Sequence, residues 1–417
     1  MKSRNILLGL IAAFLIPCAV SGQNMTSNAI SMFGLGEIER GTYGYFGGMG
    51  GVGIGMSEIN TINNNNPASL STIQKKSFVL ESSIMGKFSH FTAGESLGSE
   101  NTTNGNIERI AMAFRVSDRV ALGFSLVPYT KIGYTIKKDI PVEGTFENDL
   151  TIFTGSGGLN KINLTAGINI LPKLTFGVNT AIYFGNLTQK EKSETWAIYN
   201  TSQTSRVNFD FGLQYSFDYK ENTKVTLGVV GGLKAGMSMH NSIEVINSDN
   251  VTVEDKGLKN TKQYIPMFVG AGLGVKKGNK IMWGVDYRFQ QWSKTVDSKN
   301  NNNYWQYKDS HQVIAGMSYT PNHTDIRNYF NRVTYQFGVN VSTSYISIKG
   351  YTPIEYSVTM GAIMPLRQTL NSSGRLTVAM EYGKMGARKE TFFREDFLKL
   401  SIGFTFAESW FVRHKFK

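Results

Sequence analysis

The sequence predicts an all-β fold, a membrane-spanning antiparallel β-barrel of about 14 strands with an N-terminal hatch in its lumen. Three observations carry this. The chain opens with an export signal, its segments from residue 76 onward alternate apolar with small or polar residues, and its connections alternate between short and long. Composition agrees: 12% aromatic residues, only 18% charged residues and 44 glycines suit closely approaching strands better than charged, alanine-rich helices.

The N-terminus sets the compartment. MKSR is basic, Ile6 to Val20 is an uncharged apolar run too short to span a membrane as a helix, and Val20-Ser21-Gly22 places small residues at a cleavage point. Residues 1–22 read as a signal peptide, and the expected destination is the outer membrane of a Gram-negative bacterium. A lipoprotein signal at Cys18 is disfavoured, because Pro17 stands where a small residue is needed. Cys18 is the only cysteine, so the exported chain has no disulfides and relies on its core or on a membrane. The formal net charge of +12 falls by two when Lys2 and Arg4 leave. The basic residues are spread through the loops and suit an anionic membrane face, so no nucleic acid partner is expected.

The strand pattern is clearest in VNFDFGLQYSFD. Val207, Phe209, Phe211, Leu213, Tyr215 and Phe217 share one face, and Asn208, Asp210, Gly212, Gln214, Ser216 and Asp218 the other. LKLSIGFTF repeats it with Leu398, Leu400, Ile402, Phe404 and Phe406 opposite Lys399, Ser401, Gly403 and Thr405. Tight connections at 117–119, 171–173 and 276–279 alternate with long polar ones near 89–106, 136–157, 187–204, 239–260 and 291–308. A soluble β-sandwich also alternates, but its polar face carries more Lys and Glu than the Gly, Asn, Thr, Gln and Asp seen here. In a barrel, lipid solvates the apolar face and closure removes the unpaired edges.

Ahead of the strands stands GGMGGVGIGMSEINTINNNNPASL, residues 47–70. Gly48, Gly50 and Gly53 form a nominal G-x-G-x-x-G, but no buried strand precedes it and no amphipathic helix follows, so a dinucleotide-binding turn is rejected. Glycines permit close backbone packing, asparagines can bond local backbone, and Pro67 fixes a dihedral. The reading is an N-terminal extension and hatch over 23–75, a compact plug touching the polar lumen of a barrel over 76–417. A disordered periplasmic arm is the alternative.

Gly48, Gly50, Gly51 and Gly53 leading into Asn66-Pro67-Ala68, with the closing FLKLSIGFTFAESWF, resemble the outer-membrane long-chain fatty acid and aromatic hydrocarbon transporter family (FadL/TodX-like). The hatch of that family carries an Asn-Pro-Ala motif. The resemblance implies passive uptake of hydrophobic small molecules, captured near the extracellular loops, passed to a site beside the hatch and released sideways at the third strand. Pro128 and Tyr129 are the candidates for that lateral opening, because a proline gives no ladder hydrogen bond and suggests a kink or bulge. An ordinary strand-end proline is the other reading, and Pro266 inside another segment weakens any claim to uniqueness. Expected partners are outer-membrane lipid, a hydrophobic ligand and the barrel-insertion machinery during biogenesis. Barrels resembling this family also serve as non-transporting subunits of secretion or surface-assembly machines, binding proteins at their extracellular loops.

No enzyme is expected. His90, His240, His311, His323 and His414 are scattered, and no nucleophile motif or paired metal-ligand spacing occurs, so no cofactor or metal is called for. Arg109, Arg115, Asp210, Asp286, Arg288 and Glu381 are predicted to face the lumen, either to anchor the hatch or to hold a ligand carboxylate through an arginine. Such polar inward faces count against an apolar path. Trp410 and Phe411 beside Arg413, Lys415 and Lys417 fit a last strand ending at the periplasmic interface.

Overall fold

The computed structural model describes residues 29–93, 99–141, 148–295, 304–366, 369, 372–386 and 393–410. The expected signal peptide with Cys18, and the tail beyond Trp410 with Phe411, Arg413, His414, Lys415 and Lys417, lie outside the described residues.

The alternating segments form an antiparallel barrel of 14 strands. They are β1 (Ser77–Ala93), β2 (Ser99–Arg115), β3 in two pieces (Val120–Pro128 and Thr130–Pro141), β4 (Asn148–Leu171) and β5 (Leu174–Lys192). Next come β6 (Trp196–Lys220), β7 in two pieces (Thr223–Gly232 and Ala235–Asn247) and β8 in three (Thr252–Gly257, Thr261–Ile265 and Met267–Lys277). The circuit ends with β9 (Ile281–Gln291), β10 (Ser310–Tyr319), β11 (Thr334–Thr343), β12 (Ile354–Pro365), β13 (Ser372–Gly386) and β14 (Phe393–Ser409). β1 and β14 pair from Ser77↔Ser409 to Ala93↔Phe393 and close the ring.

The wall has the two faces that the alternation requires. On β6, Val207, Phe209, Phe211, Leu213 and Tyr215 point outward and are exposed, while Asn208, Asp210 and Gln214 are buried inside. Leu398, Leu400 and Ile402 on β14, and Phe337, Val339 and Val341 on β11, extend the same outward apolar band. A continuous apolar surface of this kind is stable only against lipid, and the ring of ladders covers the strand edges except along part of the join between β2 and β3.

The strands run further than the alternation indicates. Most of 89–106, 136–157, 187–204 and 239–260, expected as long loops, is strand. Ile152↔Lys192, Lys192↔Ala197 and Ile243↔Asn200 belong to these outer ladders. Beyond the membrane both faces meet water, so the two-residue period vanishes while backbone pairing continues. The described residues of 291–308 include a short 3-10 turn at Ser293–Thr295 and a strand at Trp305–Tyr307 that pairs with Ile346–Ile348.

Residues 29–73 lie inside the wall as short 3-10 turns (Ala29–Met32, Gly44–Met49, Pro67–Thr72) and one inner strand, Glu37–Ile38. Their backbone rests directly on glycines of the wall. A Cβ on Gly177 would stand 2.2 Å from the Pro67 carbonyl carbon, one on Gly228 1.9 Å from the Ile54 oxygen, and one on Gly338 2.2 Å from the Met49 carbonyl carbon. These glycines sit side by side in the ladders, as in Gly167↔Gly177, Gly177↔Gly212, Gly284↔Gly316 and Gly316↔Gly338. Much of the glycine content is therefore room for the inner segment.

Candidate functional site

The glycine-rich loop is held by a wall carboxylate. Asp286 on β9 accepts hydrogen bonds from the backbone amides of Gly53 (2.6 Å) and Ile54 (2.8 Å), with Gly55 at 3.4 Å. Gly50 and Gly51 adopt φ of 74° and 83°, a backbone that side chains disfavour, and so turn the chain after Met49. Gly48 is fixed from outside, since the Thr359 hydroxyl donates to its carbonyl at 2.9 Å. In the Asn-Pro-Ala motif, the Asn66 side chain accepts from the Ala68 amide (3.0 Å) and donates to the Ile54 carbonyl (2.8 Å). Asn66 thus caps the turn that Pro67 begins and ties it to the glycine loop.

The predicted lumenal charges face inward and divide into two groups. Arg109 pairs with Glu81, donates to the Ile62 carbonyl (2.8 Å) and lies over the Tyr43 ring (5.2 Å). Arg115 donates to the carbonyls of Ser71 (2.8 Å) and Ile73 (2.9 Å). Glu381 accepts from the Thr42 hydroxyl (3.1 Å) and faces Lys399 (3.4 Å). With Asp286, these three touch the inner segment or its immediate partners. Asp210 instead pairs with Lys161 (2.8 Å) and accepts from Asn179 (3.0 Å), a contact within the wall. Arg288 lies over the Phe268 ring (5.5 Å), lines small cavities of about 110 and 120 Å³, and has no ion-pair partner within 4 Å among the described residues.

A second set of charges is invisible to alternation. Glu37, Glu39 and Arg40 radiate from the inner strand. Lys87 of β1 lies 3.2 Å from Glu37 and 2.8 Å from Glu395, Lys131 of β3 pairs with Glu39, and Arg40 pairs with Glu355 and reaches Glu381 at 3.5 Å. Lys399 bridges Glu108 (3.2 Å) to Glu381 and donates to the Thr42 hydroxyl (2.6 Å). The signal available in the sequence was parity for Glu81, Lys87 and Glu395, and none for residues 37–40, which follow no period.

This clasp stands at a seam in the wall. The β2–β3 ladder comprises only Ile110↔Leu126 to Arg115↔Ala121, at the turn end. Among the described residues no pairing joins 99–109 of β2 to 130–141 of β3. β3 breaks at Tyr129, just after Pro128. The Tyr129 amide donates to the Leu159 carbonyl (2.8 Å), its carbonyl accepts from the Glu39 amide (2.9 Å), and its ring meets that of Tyr183 edge-on at 4.7 Å. The inner strand therefore takes the place of β2 beside β3, with Ile38 opposite Thr130 and Glu37 opposite Lys131. Pro266 likewise separates two pieces of β8, so a proline break is not confined to β3.

Behind the seam is a cavity of about 450 Å³ lined by both charge and hydrocarbon, including Lys87, Lys131, Ile132 and Phe397. The apolar part of the loop-end lumen is occupied by the chain itself. Ile30 and Leu35, with Met32 and Phe33, pack among Trp292, Tyr307, Tyr345 and Met237. Among the described residues no three His, Cys, Asp or Glu side chains converge as metal ligands.

Solved structures share this architecture. The monoaromatic hydrocarbon channel CymD aligns with a TM-score of 0.54 at 14% identity, over 88% of this chain and 97% of its own. The Pseudomonas putida toluene transporter TodX aligns at 0.55 and 12% identity, over 91% and 100%. A Pseudomonas aeruginosa FadL homologue aligns at 0.51 and 11% identity, over 85% and 95%. At such identities the likeness is one of fold alone, an antiparallel β-barrel. No curated protein sequence matches. A family model does match, BamG, over residues 3–417, and the chain belongs to the BamG family.

Proposed function

We propose that this barrel passes a hydrophobic small molecule with a polar head, fatty-acid-like or aromatic, between the exterior and the membrane by way of the β2–β3 seam. The observation that carries the reading is the ladder ending at Ile110↔Leu126 with the 450 Å³ cavity directly behind it. Hydrocarbon on Ile132 and Phe397 suits an apolar body, and Lys87 and Lys131 suit an anionic head. Arg288, without an ion-pair partner among the described residues, is a second place for a carboxylate. Passage requires the inner strand to leave the β3 edge, so residues 23–75 act as a hatch and Pro128–Tyr129 mark the lateral opening. The structures of similar fold, a monoaromatic hydrocarbon channel and a toluene transporter, support the reading at the level of fold.

The test is a disulfide bolt. Ile38→Cys and Thr130→Cys replace residues directly opposite across an antiparallel pair, and the only native cysteine lies in the expected signal peptide. Uptake of a fluorescent long-chain fatty acid should be lost on oxidation and restored on reduction. Uptake that persists with the bolt fully formed sinks the hatch mechanism.

A second reading rests on the inner segment being stapled to the wall by Asp286, Arg109, Arg115 and Arg40 and seated on wall glycines. A barrel that stays plugged would serve as a non-transporting subunit binding a protein partner through its loop-end hairpins. Under that reading even the reduced variant takes up no fatty acid.

A further inference from the structure

Five turns at the barrel end opposite the long hairpins carry described, exposed cations: Arg119, Lys173, Lys220, Lys277 with Lys280, and Arg327. None of the six has an ion-pair partner within 4 Å among the described residues; Lys220 lies over the exposed ring of Tyr219 at 5.4 Å. The acids at this end are fewer and partly spent. Asp118 faces Lys75 at 2.8 Å, and Asp325 accepts from the Asn331 side chain at 2.6 Å and from the amides of Arg327 and Asn328. Asp218 and Glu221 remain exposed.

Between the cations, apolar side chains stand outside any core. Ile326 is 92% exposed and Phe330 70%, both on the connection between β10 and β11. That connection is ordered, not trailing: the Tyr335 hydroxyl donates to the Phe330 carbonyl (3.2 Å), and the Tyr329 hydroxyl to the Pro365 carbonyl (3.1 Å). Tyr335 belongs to the outward face of β11, so the exposed pair continues the lipid-facing band past the last ladder bond.

Short turns mark the periplasmic end of such barrels. A ring of free cations there, with hydrocarbon between them, matches a boundary of acyl chains and negative headgroups. We propose that this rim binds anionic phospholipid of the inner leaflet, with Arg119, Lys173, Lys220, Lys277, Lys280 and Arg327 on the headgroups and Ile326 and Phe330 in the acyl boundary. Charge complementarity and continuity with the lipid-facing band select lipid over an acidic protein segment. The proposal is independent of whether the seam conducts.

The experiment uses the full chain folded in mixed micelles containing equal phosphatidylglycerol and phosphatidylethanolamine, with retained lipid read by native mass spectrometry. Phosphatidylglycerol should be retained at least about threefold over phosphatidylethanolamine, and the preference should shrink at roughly 0.5 M salt. It should disappear in Lys173→Glu/Lys220→Glu/Lys277→Glu/Lys280→Glu and persist when the same four become Arg. Heat-modified gel mobility establishes that each variant is folded, and the arginine variant guards against a reading from misfolding. Equal retention of the two lipids, or a preference that survives charge reversal, overturns the proposal. So does binding of a polyglutamate peptide that outcompetes phosphatidylglycerol, which would assign the rim to an acidic protein.

Discussion

Asp286 on the barrel wall accepts the backbone amides of Gly53 and Ile54 at 2.6 and 2.8 Å, so one lumenal carboxylate holds the turn of the glycine-rich loop. The flanking glycines give the loop room, since a Cβ on Gly53 would stand 2.8 Å from the Asn63 side chain and one on Gly55 2.7 Å from the Gly272 backbone. Asp286→Ala leaves two buried donors unsatisfied, and local opening of residues 48–56 should become easier by about 3 kcal/mol, roughly a hundredfold. Hydrogen exchange of those amides would report it, with Asp286→Asn intermediate because one acceptor remains. Unchanged protection in the alanine variant would show that the loop is held by packing alone.

The glycines of the wall make a sharper prediction. At Gly338 an added Cβ would meet Met49 and Gly50 backbone at 2.2 and 2.3 Å, and backbone cannot rotate away as a side chain can. Gly338→Ala should therefore lower the thermal midpoint by the equivalent of about 1–3 kcal/mol or displace the inner segment. At Gly105 the nearest atom is the Met85 carbonyl oxygen at 3.7 Å, so Gly105→Ala should stay within about 0.5 kcal/mol of the parent. Protease cleavage between residues 40 and 60 separates the outcomes, appearing for Gly338→Ala only.

Asp325 gives the connection at the turn end a pH limit. Hydrogen bonds from the Asn331 side chain and from the amides of Asn328 and Arg327 hold its carboxyl below the ordinary aspartate range. A depressed folded value means that stability is fully present above the unfolded pKa and is lost as pH falls through the folded one. The connection should stay ordered from neutrality down into the acid range and then open. Asp325→Asn should open it at every pH, seen as trypsin cleavage at Arg327. Cleavage of the parent that rises already near neutrality would contradict this.

What alternation could reveal was limited by where both faces of a strand differ. β6 and β14 were legible because one side meets lipid and the other a polar lumen, and parity alone turned Arg109, Asp210, Asp286 and Glu381 inward. Above the membrane that contrast is gone, which is why 136–157 and 187–204 read as loops although 136–141, 148–157, 187–192 and 196–204 pair as strands. The clasp of Glu37, Glu39 and Arg40 was hidden for another reason, since a two-residue strand has no period and its partners come from β1, β3 and β12 to β14. Glu108 was missed because strict parity points it at lipid.

The position of Glu108 follows from a bulge. Ser83 pairs with Arg109 and Ile84 with Ile107, so Glu108 is an extra residue and two neighbours in sequence, Glu108 and Arg109, both enter the lumen. Arg109 and Glu81 are each only 2% exposed, and Arg109 also ties the inner segment through the Ile62 carbonyl. Breaking such a pair from one side strands a charge. Arg109→Met and Glu81→Leu alone should each cost about 3–5 kcal/mol, whereas the double variant should recover most of that loss. Urea midpoints of refolded barrels in one detergent supply the cycle. Additive losses in the double variant would mean that each side chain acts through separate contacts, and that the bulge serves Glu108 and Lys399 rather than this pair.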